Sequence, residues 1–199
     1  MTETRIVLAS SNPGKWQEIS QLLAPLELDL VSQTCFAFPE AEETGLSFVE
    51  NALLKARLAC HHTGLPAIAD DSGLEVDALK GQPGIYSSRY AGPDANDRDN
   101  LEKLLADLSG VPTAQRGARF QCLMVYLAHE HDPTPIICQG TWEGRILEEA
   151  RGTGGFGYDP VFYVPTHDCA SAELPAAVKN RLSHRAQALQ RLVTLLGAR

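Results

Sequence analysis

Apolar residues recur with a helical period in one part of this chain and with a strand-like period in another. This change of period limits the folds that the chain can adopt. Near the amino terminus, the short apolar run at residues 6–9 leads into a polar turn and then into a helical pattern. From residue 116 to residue 147 the apolar runs are strand-like, which is typical of antiparallel hairpins. A chain with both patterns is neither all-helical nor purely parallel. We therefore predict one α/β domain, residues 1–199, whose mixed sheet is flanked by helices.

Composition narrows the classes of partner. The 199 residues include 25 Asp and Glu but only 17 Lys and Arg, which gives a formal net charge of −8. Because a nucleic-acid surface needs clustered Lys and Arg, we expect no nucleic-acid partner. The five scattered cysteines fit a reducing compartment. No signal-peptide core and no apolar run of about 18 residues is present, so we expect a cytoplasmic protein without a membrane partner.

Local signals place the elements. Asn12 and Pro13 suit the cap and first turn of a helix that ends at Pro25. Ser47 and Glu50 form a capping box for a second helix, which stops near Gly64. The remaining helices are predicted over residues 95–108 and after residue 183. Strands are predicted over residues 6–9, 28–31, 67–69, 120–127, 136–138, 141–142, 145–147 and 161–164.

The first candidate site is the turn Ser10-Ser11-Asn12-Pro13-Gly14-Lys15. A helix start offers free N–H groups to a phosphate, while the hydroxyls and the lysine add donors and charge. The turn lacks the G-x-x-x-x-G-K-[ST] pattern and is not a Walker A loop. An ordinary capped helix with a solvent-exposed lysine is the alternative.

The second candidate site is acidic. It combines Glu42-Glu43 with Asp70-Asp71-Ser72-Gly73, which follows the apolar run at residues 67–69. Open α/β sheets bind ligands at the carboxyl ends of strands, where we expect the two aspartates. Their side chains would point to opposite sides, so that one could face a metal, and a neighbouring carboxylate would raise the pKa of the other. An Asx turn is the alternative.

A glycine-rich loop at residues 152–160 could recognise a base. Its formal G-x-G-x-x-G neither follows a strand nor opens a helix, which argues against a dinucleotide fold and a dehydrogenase. Phe156, Tyr158 and Asp159 could instead stack on a base and bond to it, or the two aromatic rings could belong to the core.

Cations gather near the start of the last helix. Lys179, His184 and Arg185 are unfavourable at a helix N-terminus, which indicates a compensating anion. A solvated face is the alternative.

Taken together, seven segments resemble the family of non-canonical purine nucleoside triphosphate pyrophosphatases, also called inosine triphosphatases or dITP/XTP pyrophosphatases. In order they are Ser10-x-Asn12-x-x-Lys15, Glu42-Glu43-Thr44-Gly45, Phe48-x-Glu50-Asn51-Ala52-x-x-Lys55-Ala56, Ala69-Asp70-Asp71-Ser72-Gly73-Leu74, Pro83-Gly84-Ile85-Tyr86-Ser87-Ser88-Arg89, Gly155-Phe156-Gly157-Tyr158-Asp159-Pro160 and Ser183-His184-Arg185. The resemblance covers nearly the whole chain. It implies Mg²⁺-dependent hydrolysis of ITP, dITP or XTP to the monophosphate and pyrophosphate, which cleanses the nucleotide pool. It also implies an elongated fold of two lobes with a central cleft, and a homodimer.

The same resemblance implies roles for individual residues. The phosphates would be held by Ser10, Ser11, Asn12, Pro13, Gly14, Lys15 and Lys55. Glu43 and Asp71 would serve the metal, and Asp71 would also accept the proton of the attacking water. The nucleotide would be bound by Ser72, Phe156, Gly157, Tyr158, Asp159, Lys179, His184 and Arg185.

Base choice is only partly specified. A buried donor such as Arg185 would favour the 6-oxo group of a purine over the amine of adenine. The preferred 6-oxo purine stays open, as does the way in which guanine is rejected. Two alternative functions stay open: a nucleotide-binding module without catalysis, and a pyrophosphatase that acts on pyrimidine or modified triphosphates.

Overall fold

Short strands and amphipathic helices alternate along the amino-terminal part of the chain, and long strands follow. The computed structural model describes residues 5–24 and 28–197. Its strands are β1 (Arg5–Leu8), β2 (Asp29–Ser32), β3 (Ala67–Val76), β4 (Gly117–Leu127), β5 (Ile136–Ile146), β6 (Phe162–Val164) and β7 (Cys169–Ala170). Its helices are α1 (Pro13–Leu23), α2 (Phe48–Thr63), α3 (Asp97–Asp107), α4 (Ala176–Leu182) and α5 (His184–Leu196).

The strands form one mixed sheet, as predicted. Its order is β2-β1-β3-β4-β5-β6-β7. Strand β1 pairs in parallel with β2 and β3, whereas β6 pairs antiparallel with β5 and β7. No helix within residues 5–24 and 28–197 has the length and apolar character needed to cross a membrane.

The described chain divides into two compact units. Unit 1 comprises the described residues of Met1–Asp71, Cys122–Gly140 and Arg185–Arg199, and unit 2 comprises Ser72–Gln121 and Thr141–His184. The boundaries fall inside β3, β4 and β5, so each of these long strands contributes residues to both units.

Unit 1 has a core on each face of its strands. Because successive strand residues point to opposite faces, Ile6 packs in one core and Val7 in the other. The first core takes the apolar faces of α1 and α5, and the second takes the face of α2. That face consists largely of alanines (Ala52, Ala56 and Ala59), all fully buried. Small residues on a helix allow its backbone to approach the sheet closely.

Unit 2 is built on aromatic rings. The ring of Phe120 lies 4.6 Å from that of Phe162 and 6.4 Å from that of Trp142. Leu104 and Leu108, at the end of α3, complete this core together with Leu74. Trp142 is buried in this core.

Strand β3 differs from the prediction. It continues through Asp70, Asp71, Ser72 and Gly73 to Val76, so the aspartates lie in the middle of a strand and not at its end. The alternative of an Asx turn is therefore also wrong. The physical reason is that Leu74 and Val76 resume the apolar pattern and are fully buried. A strand continues across polar residues when its flanking residues bury apolar surface on the same sheet.

Most other elements lie within a few residues of their predicted bounds. The three strand fragments predicted over residues 136–147 join into the continuous β5, and β7 and α4 were not predicted. Pro25, the predicted stop of the first helix, lies outside the described residues.

Candidate active site

The turn between β1 and α1 is shaped by short polar side chains. Asn12 caps α1, since its Oδ1 accepts the N–H of Lys15 at 3.0 Å. Ser10 Oγ accepts the N–H of Asn12 at 3.3 Å, and Ser11 donates to Glu40. The predicted capped helix is confirmed. Its lysine is not a solvated one, because Lys15 Nζ lies 2.9 Å from Asp70 Oδ2.

A second lysine joins two carboxylates. Lys55 Nζ lies 2.9 Å from Asp71 Oδ1 and 2.5 Å from Glu43 Oε1. Residues 51 and 55 are four apart on α2 and therefore share one face of the helix. Asn51 accordingly reaches the same carboxylate, donating from Nδ2 to Asp71 Oδ2 at 3.2 Å. Unit 1 thus holds two cation–carboxylate pairs side by side, one at Asp70 and one at Asp71.

Asn51 is a site residue to which sequence reasoning gave no role. It is fully buried, and its Oδ1 accepts the N–H of Gly45 at 2.9 Å. A Cβ at Gly45 would lie 2.6 Å from the Cβ of Glu50 and 2.8 Å from Asn51 Oδ1, so only glycine fits. One amide therefore joins the loop of Glu43 to Asp71. The i, i+4 spacing to Lys55 and the nearby glycine were the available signals.

The two adjacent aspartates have opposite electrostatic environments. Burial alone would raise the pKa of Asp70, but Lys15 and Arg185 outweigh it and hold that pKa well below its usual range. Burial raises the pKa of Asp71, and Lys55 offsets this only in part. The predicted direction for Asp71 holds, although burial, and not a neighbouring carboxylate, is the main cause. Paired carboxylates with divergent pKa values divide the roles of fixed anion and proton acceptor.

We expect Lys55→Gln to move the acid limb of the pH–kcat profile to higher pH. Without the Lys55 ammonium, the pKa of Asp71 should rise, because losing an adjacent cation raises a carboxylate pKa by about 1–3 units. A carboxylate that accepts a proton in the reaction must be deprotonated to work. Hydrolysis rates measured between pH 4 and pH 9 give the limb directly. Arg57→Gln, on the exposed side of the same helix, is the matched control and should leave the limb in place. If the acid limb stays in place in Lys55→Gln, the titration of Asp71 does not determine the pH dependence of kcat.

The cation at the start of α5 is compensated within the protein. Arg185 is 2% exposed, its Nη1 bonds to Glu18, and its Nε lies 3.5 Å from Asp70 Oδ2. These carboxylates raise the pKa of Arg185 despite the opposing effect of burial. An anionic ligand is therefore not needed to explain a cation at this helix start. The contact of Arg185 with a purine stays a prediction.

Unit 2 holds all of the residues predicted to bind the nucleotide except Arg185, which belongs to unit 1. Lys179 Nζ lies 2.6 Å from Asp159 Oδ2 and 5.2 Å from the ring centre of Phe156. Ser171 donates to Asp159 Oδ1 at 2.7 Å, and the N–H of Phe156 donates to Asp159 Oδ2 at 2.9 Å. Asp159 is thus the anchor of the loop, with the aromatic ring and the ammonium group beside it.

The other predicted base residues are more enclosed. Tyr158 is buried, and its hydroxyl donates to the carbonyl of Ser87 at 2.7 Å. The ring of His184 stacks on Phe120, with centroids 4.8 Å apart. Ser72 follows Asp71 on β3 and is half-buried. Of the two aromatic residues in the loop, Tyr158 fits the core alternative, whereas Phe156 is only partly buried.

Comparison with known proteins identifies the family. A family model described as "Ham1 family" matches residues 6–195. The chain belongs to the Ham1 family. A dITP/XTP pyrophosphatase of Vibrio parahaemolyticus is 59% identical over 98% of this chain and 97% of that protein. A HAM1 protein from Coxiella burnetii has a solved structure with 50% identity, a TM-score of 0.91, and coverage of 98% and 100% of the two chains.

Another solved relative is named nucleoside-triphosphatase / dITP/XTP pyrophosphatase. The dITP/XTP pyrophosphatase from Mycobacterium abscessus is 40% identical, with a TM-score of 0.77 and coverage of 97% of this chain and 100% of that one. The family indicated by the seven sequence segments is therefore confirmed.

Nucleotide pyrophosphatases generally need a divalent metal, and the Ham1 chain offers a fitting donor pair. Glu43 and Asp71 approach one point closely enough to share the ammonium of Lys55. Carboxylate oxygens are the ligands preferred by Mg²⁺, which completes its shell with waters and phosphate oxygens rather than with further protein groups. No group of three His, Cys, Asp or Glu with metal-site geometry occurs among the described residues.

Proposed function

We propose that this chain hydrolyses non-canonical purine nucleoside triphosphates, namely ITP, dITP and XTP, to the monophosphate and pyrophosphate. The observation that carries the proposal is the pair of lysine–carboxylate contacts in unit 1, Lys15 with Asp70 and Lys55 with Asp71 and Glu43. Phosphoryl transfer needs mainly positioning and neutralised charge, which two lysines and a metal supply around a triphosphate.

The reaction assigned to the site is attack of water on the α-phosphorus. A new O–P bond forms, the bond to the bridging oxygen breaks, and pyrophosphate leaves. Asp71 accepts the proton of the water, because its raised pKa makes it a stronger base than an ordinary carboxylate. Asp70, held ionised between Lys15 and Arg185, keeps Lys15 in place and takes no proton.

Mg²⁺ is the cofactor that we assign to Glu43 and Asp71. When bound, it supplies positive charge to the phosphate oxygens. The turn of Ser10, Ser11, Asn12, Pro13 and Gly14 offers N–H and hydroxyl groups to the same phosphates, together with Lys15 and Lys55.

We assign the nucleoside mainly to unit 2. Phe156 offers a ring face for stacking, and Lys179, paired with Asp159, offers a charged donor beside it. Ser72, Gly157, Tyr158, His184 and Arg185 complete the proposed set. A donor that meets the 6-oxo group of inosine or xanthosine stays unpaired against the amine of adenine, which disfavours ATP.

The direct test is a substrate panel with both phosphate products measured. Purified protein with magnesium should convert ITP, dITP and XTP to monophosphate and pyrophosphate, with kcat/KM at least about 100-fold above that for ATP. Release of orthophosphate alone would contradict the reaction. Faster cleavage of dTTP than of ITP would favour the rival pyrophosphatase for other triphosphates. Nucleotide binding without cleavage would favour a binding module.

We also propose a cytoplasmic homodimer. The five cysteines are all unpaired thiols, as in proteins of a reducing compartment, and the nucleotide pool is cytoplasmic. Light scattering of the purified protein tests the dimer.

A further inference from the structure

One hydrogen bond ties the base loop, defined as residues 152–160, to α3. The N–H of Gly157 donates to Asp97 Oδ2 at 2.8 Å, although the two residues are 60 positions apart. Asp97 was not among the residues that the sequence singled out. It lies at the first position of α3, where a carboxylate is favoured by the helix dipole.

The helix end that carries Asp97 is firmly held. Asn96 and Asp99 form a complete capping box. Asn100, one turn further, is 2% exposed; it accepts the N–H of Ala91 at 2.8 Å and donates to the carbonyl of Ser88 at 3.0 Å. The backbone of Asp97 therefore cannot shift easily, and its carboxylate offers a fixed acceptor.

The loop end of the contact lies between the two aromatic residues. Gly157 has a φ of +60°, which side chains rarely adopt. Its peptide is flanked by Phe156, beside Lys179, and by Tyr158, which is bonded to Ser87. Fixing the N–H of Gly157 therefore fixes the direction in which the ring of Phe156 is presented.

We propose that Asp97 is a positioning residue for base recognition. It holds the Gly157 peptide so that Phe156 keeps its place over the ammonium of Lys179 before a nucleotide arrives. This inference rests on the proposed function, since it assumes that the base loop receives the purine. Preorganisation of this kind increases affinity by lowering the ordering cost of binding, and it leaves groups that act on the phosphates unaffected.

The experiment compares binding of the two products. Affinities for IMP and for pyrophosphate are measured by calorimetry in the presence of magnesium for wild type, Asp97→Ala and Asp97→Ser. We expect both variants to bind IMP about tenfold more weakly, equivalent to ~1.4 kcal/mol, with unchanged pyrophosphate affinity. With ITP, KM should rise by a similar factor while kcat stays within about twofold, because the lost interaction is equal in ground and transition states.

Two further variants separate the contact from a general effect on α3. Asp97→Asn keeps an oxygen acceptor at the same distance and should recover most of the IMP affinity. Glu102→Ala removes an exposed carboxylate from the same helix without touching the base loop or the capping box, and should bind IMP as wild type does. Serine shortens the side chain but suits a helix start, so Asp97→Ser serves where Asp97→Ala fails to fold.

The outcomes are distinct. Equal IMP affinity in wild type and Asp97→Ser overturns this inference but not the proposed function. The same holds if Glu102→Ala loses as much IMP affinity as Asp97→Ser, or if pyrophosphate binding weakens as much as IMP binding. Wild-type protein that binds no IMP and cleaves no ITP overturns the proposed function, and this inference with it.

Discussion

Asp71→Asn should lower kcat for ITP about 10³-fold, within the 10²–10⁴ range typical of a lost general base. Asparagine has the same shape but no longer accepts a proton from water. Stability should not fall much, because a raised carboxylate pKa means that the ionised form is unfavourable in the folded state. The rate of pyrophosphate release at saturating ITP gives kcat. The midpoint of thermal unfolding shows whether the variant is folded.

The control for this variant is Asp29→Asn, which removes a carboxylate of the same unit whose contact is with Arg5. Its kcat should match that of wild type. If Asp71→Asn retained kcat within about threefold while remaining folded, a base contribution of the expected size would be absent and Asp71 would leave the mechanism.

Asp70→Asn should produce the largest loss of stability. Its carboxylate is fully enclosed, with Lys15 Nζ at 2.9 Å and Arg185 Nε at 3.5 Å. Breaking a buried ion pair leaves an uncompensated charge and costs about 3–5 kcal/mol. For a chain of this size the midpoint of thermal unfolding should fall by about 6–20 °C. Denaturant unfolding at pH 7 measures the change in the free energy of unfolding.

The pH dependence of this loss has a definite sign. Because the folded-state pKa of Asp70 is lowered, its stabilising contribution is present above the unfolded value of about 3.9 and is lost as pH falls below it. The stability difference between wild type and Asp70→Asn should therefore shrink in acid. Glu102→Gln, which breaks the exposed pair with Arg98, should unfold as wild type does. A difference that grows in acid would contradict the assignment.

Much of the fold follows from local signals. The cap at Asn12 and the stop at Gly64 are confirmed because each depends on a few neighbouring residues. The continuation of β3 through Asp70 and Asp71 was missed. Leu74 and Val76 resume the apolar pattern, but burying the two aspartates between them also needs Lys15 and Lys55, which come from distant parts of the chain. Such long-range compensation leaves no local period in the sequence.

The candidate site also combines features that could be predicted from local sequence with features that depend on the fold. Residue types at the strand–helix turn and in the acidic motifs indicated phosphate and metal chemistry. The partners of Arg185 were not predictable, because Glu18 lies on another helix and only the fold brings the two together. Asp97 was missed because its partner is a backbone N–H, which has no side-chain signature in the sequence. Asn51 had a local signal in its i, i+4 spacing to Lys55, but its contact with Asp71 depends on the fold.

The alanine face of α2 has a consequence for evolution of the site. Ala52 and Ala56 flank Asn51 and Lys55 on the helix, so the depth at which the helix seats on β3 sets how far these polar groups reach. A single added methyl group there would lift the whole helix and retract both side chains from Asp71. Substitution of these alanines would thus be restrained by the chemistry of the site, even though the alanines do not contact the nucleotide.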